Sequence, residues 1–145
     1  LNANTTGAEN TAVGYGSLES CTTGQYNTAL GYQTLQNITT GERCTAIGRN
    51  TLRANTGSRN TAVGMNSMEL NTSGNYNTAV GQRALVSNTT ADYNTAVGNS
   101  ALDQNTTGTQ NTAVGALALD AATTGGQNTA VGYQALTDHT TATLP

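Results

Sequence analysis

The chain is short of the residues that build an ordinary hydrophobic core: Leu, Ile, Val and Phe together number 21 of 145, with Phe and Trp absent. Such a share would suit disorder at high net charge, but charged residues make up 9% and the formal net charge is −3, too little self-repulsion to hold a chain open. No apolar run nears the roughly 20 residues of a membrane-spanning helix. Five Arg and Lys residues in all make no basic patch able to release counterions from nucleic acid. Neither membrane nor nucleic acid is expected as a direct partner. A single His, His139 beside Thr140, reads as a solvated turn residue and supports no triad. The eight acidic residues fall mostly in variable turns and lack the Asp-bearing nonapeptide of calcium-loaded rolls. Gly14-Tyr15-Gly16 lacks the third Gly, the Lys and the following helix of a phosphate loop. No enzymatic activity, cofactor or metal is expected. The sequence opens on neither an initiator Met nor a recognisable signal peptide, so any address label is expected to have been removed or to lie outside this fragment.

What the chain does have is 29 Thr, 18 Asn and 17 Gly, residues of strands and of turns that visit left-handed conformations. They are arranged in a repeat. Units open at Asn10, Asn27, Cys44, Asn60, Asn77, Asn94, Asn111 and Asn128, a spacing of 17 with one step of 16, where Asn55-Thr56-Gly57 is one residue shorter than the usual Asn-Thr-Thr-Gly. Residues 1–9 match the end of a preceding unit, so the expectation is one repeat array over 1–145, cut from a longer fibre. Because a one-residue change inside a strand would flip every later side chain, the shortening is expected in a loop.

Counting from each opening residue, position 2 is always Thr, position 3 Ala, position 4 Val, Leu or Ile, position 5 Gly, and position 9 Leu or Met. This is not the three-and-four spacing of a helix. The pattern predicts an all-β, parallel β-solenoid of about 17 residues per turn with two short strands per turn. Its expected core is one position 4 and one position 9 side chain per turn: Val13 and Leu18, Leu30 and Leu35, Ile47 and Leu52, Val63 and Met68, Val80 and Leu85, Val97 and Leu102, Val114 and Leu119, Val131 and Leu136. Position 1 is expected to be an enclosed corner of stacked Asn amides, since Cys44 stands there once and reduced Cys is readily buried. Ala at position 3 and Gly at position 5 share the opposite strand face, and their smallness predicts that something lies close against it. A coil this thin gains by burying a second face against copies of itself, so a parallel homotrimer is expected.

The unit Asn-Thr-Ala-Val-Gly-Tyr-Gln-Ala-Leu, intact at Asn128 to Leu136 and joined to its neighbours by Thr-Thr-Gly spacers, resembles repeats of phage and viral tail-fibre proteins, in which an intramolecular chaperone domain often follows. More distantly it is similar to the head repeats of trimeric autotransporter adhesins, which have a shorter period. The resemblance spans essentially the whole chain. It implies a left-handed β-roll, three chains per fibre, displayed outside a cell or on a virion surface and supporting attachment to a host.

Variable positions could carry partner contacts. Tyr15, Tyr32, Arg49 and Tyr133 at position 6, with Arg83 at position 7, are the candidate contacts for a cell-surface glycan or receptor. Tyr26, Tyr76 and Tyr93 at position 17 are expected to stack along a corner. Cys21, at position 12, and Cys44, at position 1, occupy different corners and levels, so free thiols are expected. Five N-glycosylation tripeptides begin at Asn4, Asn37, Asn71, Asn88 and Asn105. The alternative function is an ice-binding solenoid using its Thr array; against it, the position sharing a face with Thr is aliphatic.

Overall fold

In a computed structural model, which describes residues 1–138, the chain is a single β-solenoid. Its strands are β1 Thr11–Val13, β2 Thr28–Leu30, β3 Thr45–Ile47, β4 Thr61–Val63, β5 Thr78–Val80, β6 Thr95–Val97, β7 Thr112–Val114 and β8 Thr129–Val131. They form one sheet in sequence order, every neighbouring pair parallel. The register is strict: Thr faces Thr, Ala faces Ala and aliphatic faces aliphatic at each step. His139 lies outside the described residues.

Each rung has one strand, not two. Positions 7 and 9 fold into left-handed backbone, as at Arg83 (φ 58°) and Leu85 (φ 54°), so the second apolar segment is a turn. Holding Leu in that region costs on the order of 1–2 kcal/mol. The cost is offset by full burial of the side chain and by inter-rung bonds such as Leu85 N–H to the Ala101 carbonyl at 2.9 Å. Gly at position 5 ends each strand. Gly81 has φ 136°, and a Cβ there would sit 2.4 Å from the Gly98 carbonyl oxygen of the next rung, so any side chain would push the rungs apart.

The strand faces are the reverse of the expected ones. Ala at position 3 points inward, from Ala29 to Ala113 with no exposure. The position 4 residues Val13, Leu30, Ile47, Val80, Val97, Val114 and Val131 are exposed, and Val63 is half-exposed. The position 9 column is inside as expected for Leu18, Leu35, Leu52, Met68, Leu85, Leu102 and Leu119, while Leu136, on the last described rung, is 38% exposed. The physical reason is width: Leu from position 9 and the side chains of positions 1, 8 and 12 fill a narrow interior, and the strand wall has room only for a methyl group. Small residues at position 3 therefore serve the coil's own core rather than a neighbouring chain.

Position 1 is an enclosed Asn ladder. The Asn77 Oδ1 accepts the Asn94 N–H at 2.9 Å, and the Asn77 Nδ2 donates to the Ala91 carbonyl at 2.8 Å; Asn27, Asn94 and Asn111 make equivalent pairs. A second ladder at position 12 joins Asn55, Asn71, Asn88 and Asn105. Position 13 forms a third. The Thr89 carbonyl accepts N–H donors from Thr72 (2.8 Å), Ser73 (3.1 Å) and Gly74 (3.4 Å), and also the Thr72 Oγ1 at 2.8 Å. In the shortened rung the Thr56 and Gly57 N–H groups and the Thr56 hydroxyl still converge on the Thr72 carbonyl. Thr45 remains paired with Thr61. The missing residue is thus taken from the exposed loop at position 14, and the strand columns pass through unbroken.

Both thiols, Cys21 and Cys44, are free and buried. Burial pushes the Cys44 thiol above its ordinary value, partly opposed by hydrogen bonds from the Asn60 backbone, the Asn55 side chain and the Arg59 backbone; burial shifts Cys21 the same way. A thiol whose pKa is higher folded than unfolded lends stability that is complete below the unfolded value, about 8.5, and is lost as pH rises towards the folded value. The urea midpoint of the native chain should therefore fall between pH 8 and pH 10, and the fall should flatten in a Cys21→Ala, Cys44→Ala variant. Equal slopes would show that these thiols do not titrate differently on folding.

Candidate functional site

Side-chain alternation along each three-residue strand puts Thr and the aliphatic residue outward together. Repeated over eight rungs at about 4.8 Å, they make an uncharged face some 34 Å long. It carries a line of threonines, most of them half-buried, beside a line of Val, Leu and Ile. Exposure along the aliphatic line reaches 53% at Val13 and 69% at Val131, and Val63 alone is half-exposed. These side chains leave an apolar patch on the order of 500 Å², within the range that often marks an interaction site. Together with the threonines, the face approaches the roughly 800 Å² per partner of a stable interface.

Two variable columns flank this face in the chain, position 17 before it and position 6 after it. On position 17, the Tyr76 and Tyr93 rings stack with centroids 4.9 Å apart and planes 11° from parallel. The guanidinium of Arg43 lies 5.3 Å from the Tyr26 ring centre, and that of Arg59 lies 5.1 Å from the Tyr76 ring centre and also bonds the Tyr76 hydroxyl. Residues one rung apart thus cover each other, as expected of this corner. Tyr, Arg and Met are the residue types enriched at protein interfaces.

The candidate contacts do not converge on one site. Tyr15 and Tyr32 stack at 5.5 Å on successive rungs, and exposed Arg49 occupies the same position on the rung after Tyr32. Tyr133 is 71% exposed but five rungs from Arg49. Arg83 holds Asp103 through two bonds, Nε at 3.1 Å and Nη2 at 3.0 Å, which ties it to the coil. Two concavities lie at the ends, one lined by Gln134, Leu136, Thr137 and Asp138, the other including Leu1, Tyr15 and Glu19. Among the described residues no group of His, Cys, Asp and Glu could hold a metal ion, and no helix is long and apolar enough to cross a membrane.

Sequence reasoning missed the outward aliphatic face itself. The signal that could have found it is volume: a fully buried wall of Ala opposite Leu is consistent with a one-strand-wide coil, whereas a buried wall of Val would overfill it. Comparison with protein-family models, with curated proteins and with solved structures gives no match.

Proposed function

We propose that this chain is a structural fibre segment, a stalk or head portion displayed on a virion or cell surface, in which copies of the chain associate in parallel through the Thr and aliphatic face. The observation that carries the reading is that seven of the eight rungs leave their position 4 aliphatic side chain exposed and the remaining one, at Val63, leaves it half-exposed, all paired in one register column. A partner must match that line rung by rung, and a second copy in the same direction has the same spacing by construction. Closure about an axis parallel to the rod uses every rung equally and leaves no open polymerising side; three chains is the number the tail-fibre resemblance implies. Attachment to a host would then rest on variable outward residues such as Tyr15, Tyr32 and Arg49, for a glycan or receptor. The reading is of a scaffold rather than an enzyme.

The same face favours one other periodic partner, the surface of ice, because it is uncharged and repeats hydroxyl and methyl groups in register. One set of measurements separates the two. Sedimentation of the native chain should give a trimer, and a Val80→Asp, Val97→Asp variant should sediment as a monomer that keeps its sheet signal in circular dichroism and melts lower only by the stability that association lends. Association untouched by the two substitutions would place the contact elsewhere. A monomeric native chain with clear thermal hysteresis at micromolar concentration would replace the fibre reading by the ice-binding one.

A further inference from the structure

Of the five glycosylation tripeptides, four fall at position 12, and in three of them the Asn amide points into the coil. Asn71, Asn88 and Asn105 have no exposed surface. Each Nδ2 uses both of its hydrogens: Asn71 donates to the Gly74 carbonyl (3.0 Å) and Asn55 Oδ1 (2.5 Å), Asn88 to the Ala91 carbonyl (3.1 Å) and Asn71 Oδ1 (2.6 Å), Asn105 to the Gly108 carbonyl (3.0 Å) and Asn88 Oδ1 (3.2 Å). Elsewhere on this column the same space holds no more than Ile38. Asn37 differs, because it stands one residue earlier, at position 11, and is exposed. Asn4 is exposed too, at the N-terminal end of the position 12 column.

We infer that folding and N-linked glycosylation exclude each other at Asn71, Asn88 and Asn105, and that Asn37 is the interior-rung site at which the folded coil accepts a glycan. Transfer joins the Asn Nδ2 to the anomeric carbon of a lipid diphosphate-linked oligosaccharide; the nitrogen gives up one proton and the lipid diphosphate leaves. The product has one N–H where the ladder needs two, and a sugar where a closed core leaves no room. In a compartment that performs this transfer, the reaction on the unfolded chain therefore competes with coil closure. At Asn37 the sugar projects into solvent, and Ile38 still fills the core beside it.

The third residues of the buried tripeptides, Ser73, Thr90 and Thr107, are exposed. Replacing them with Ala removes the modification signal and keeps all three Asn side chains and the Thr ladder of position 13. The native chain and a Ser73→Ala, Thr90→Ala, Thr107→Ala variant would be made both in bacterial cytoplasm and in the secretory pathway of a glycosylating eukaryotic host. Glycopeptides would then be mapped separately in the folded and aggregated fractions. The two bacterial products should melt alike. From the secretory host, folded chains should carry sugar at Asn37 and none at Asn71, Asn88 or Asn105, and any chains modified there should be confined to the aggregate, which the variant should reduce severalfold. A cooperatively melting chain with sugar on any of the three buried Asn would overturn the exclusion. So would a native aggregate in which those three are unmodified. Folded chains without sugar at Asn37 would overturn its assignment.

Discussion

Leu85→Asp should destabilise the coil by roughly 3–5 kcal/mol, enough to abolish cooperative melting of the central rungs. Val80→Asp, five residues earlier, should change the isolated chain by less than about 1 kcal/mol. The contrast rests on burial alone: Leu85 has no exposure, whereas Val80 is 38% exposed. The comparison is clean at the backbone, because position 9 is left-handed (φ 54° at Leu85) and Asp tolerates that region better than Leu does. A carboxyl forced into the core has a folded pKa above its unfolded value near 3.9. The Leu85 variant should therefore come closest to the native chain below pH 4 and lose ground as pH rises through the folded value. Circular dichroism melts at pH 3 and pH 7 read both effects. Equal melting of the two variants at pH 7 would invert the assignment of inside and outside.

Asn77→Leu, nearly isosteric, should cost roughly 2–4 kcal/mol despite adding an apolar side chain to a buried position. It removes the acceptor of the Asn94 N–H and one donor to the Ala91 carbonyl. Asn88 continues to satisfy that carbonyl at 3.1 Å, so the orphaned group is the Asn94 amide. Hydrogen exchange should accelerate at Asn94 before it does at amides two rungs away. The matching change at an exposed corner, Asn99→Leu, should leave the urea midpoint in place. If the two variants unfolded at the same urea concentration, the ladder at position 1 would contribute nothing beyond filling space.

The period, the parallel stacking, the enclosed Asn corner and the loop location of the shortened turn were all legible, because each depends on repetition or on register, which a sequence displays directly. The facing of the strand was not. Thr-Ala-Val alternates in either sense, and three residues are too few for hydrophobic periodicity to decide. Burying Val would gain more than burying Ala, so a reading by hydrophobicity alone turns the strand the wrong way. Interior width decides instead, and width depends on how positions 1, 3, 8, 9 and 12 close around one another. The second expected strand failed for a related reason: Leu at position 9 looks like a strand residue, yet it is held in left-handed backbone by the rungs on either side. The same inversion moved the candidate site from the Ala and Gly face to the Val and Thr face.

Each described rung meets the next through the same strand register, and the sheet runs in sequence order with no crossover. Removing or duplicating one complete 17-residue unit within the array would join two rungs that already fit, whereas a change of any other size must be absorbed by a loop, as it is at Gly57. Length is therefore a heritable quantity that recombination between repeats can adjust in steps of about 4.8 Å. A lineage carrying this coil could lengthen or shorten its reach without inventing a single new contact.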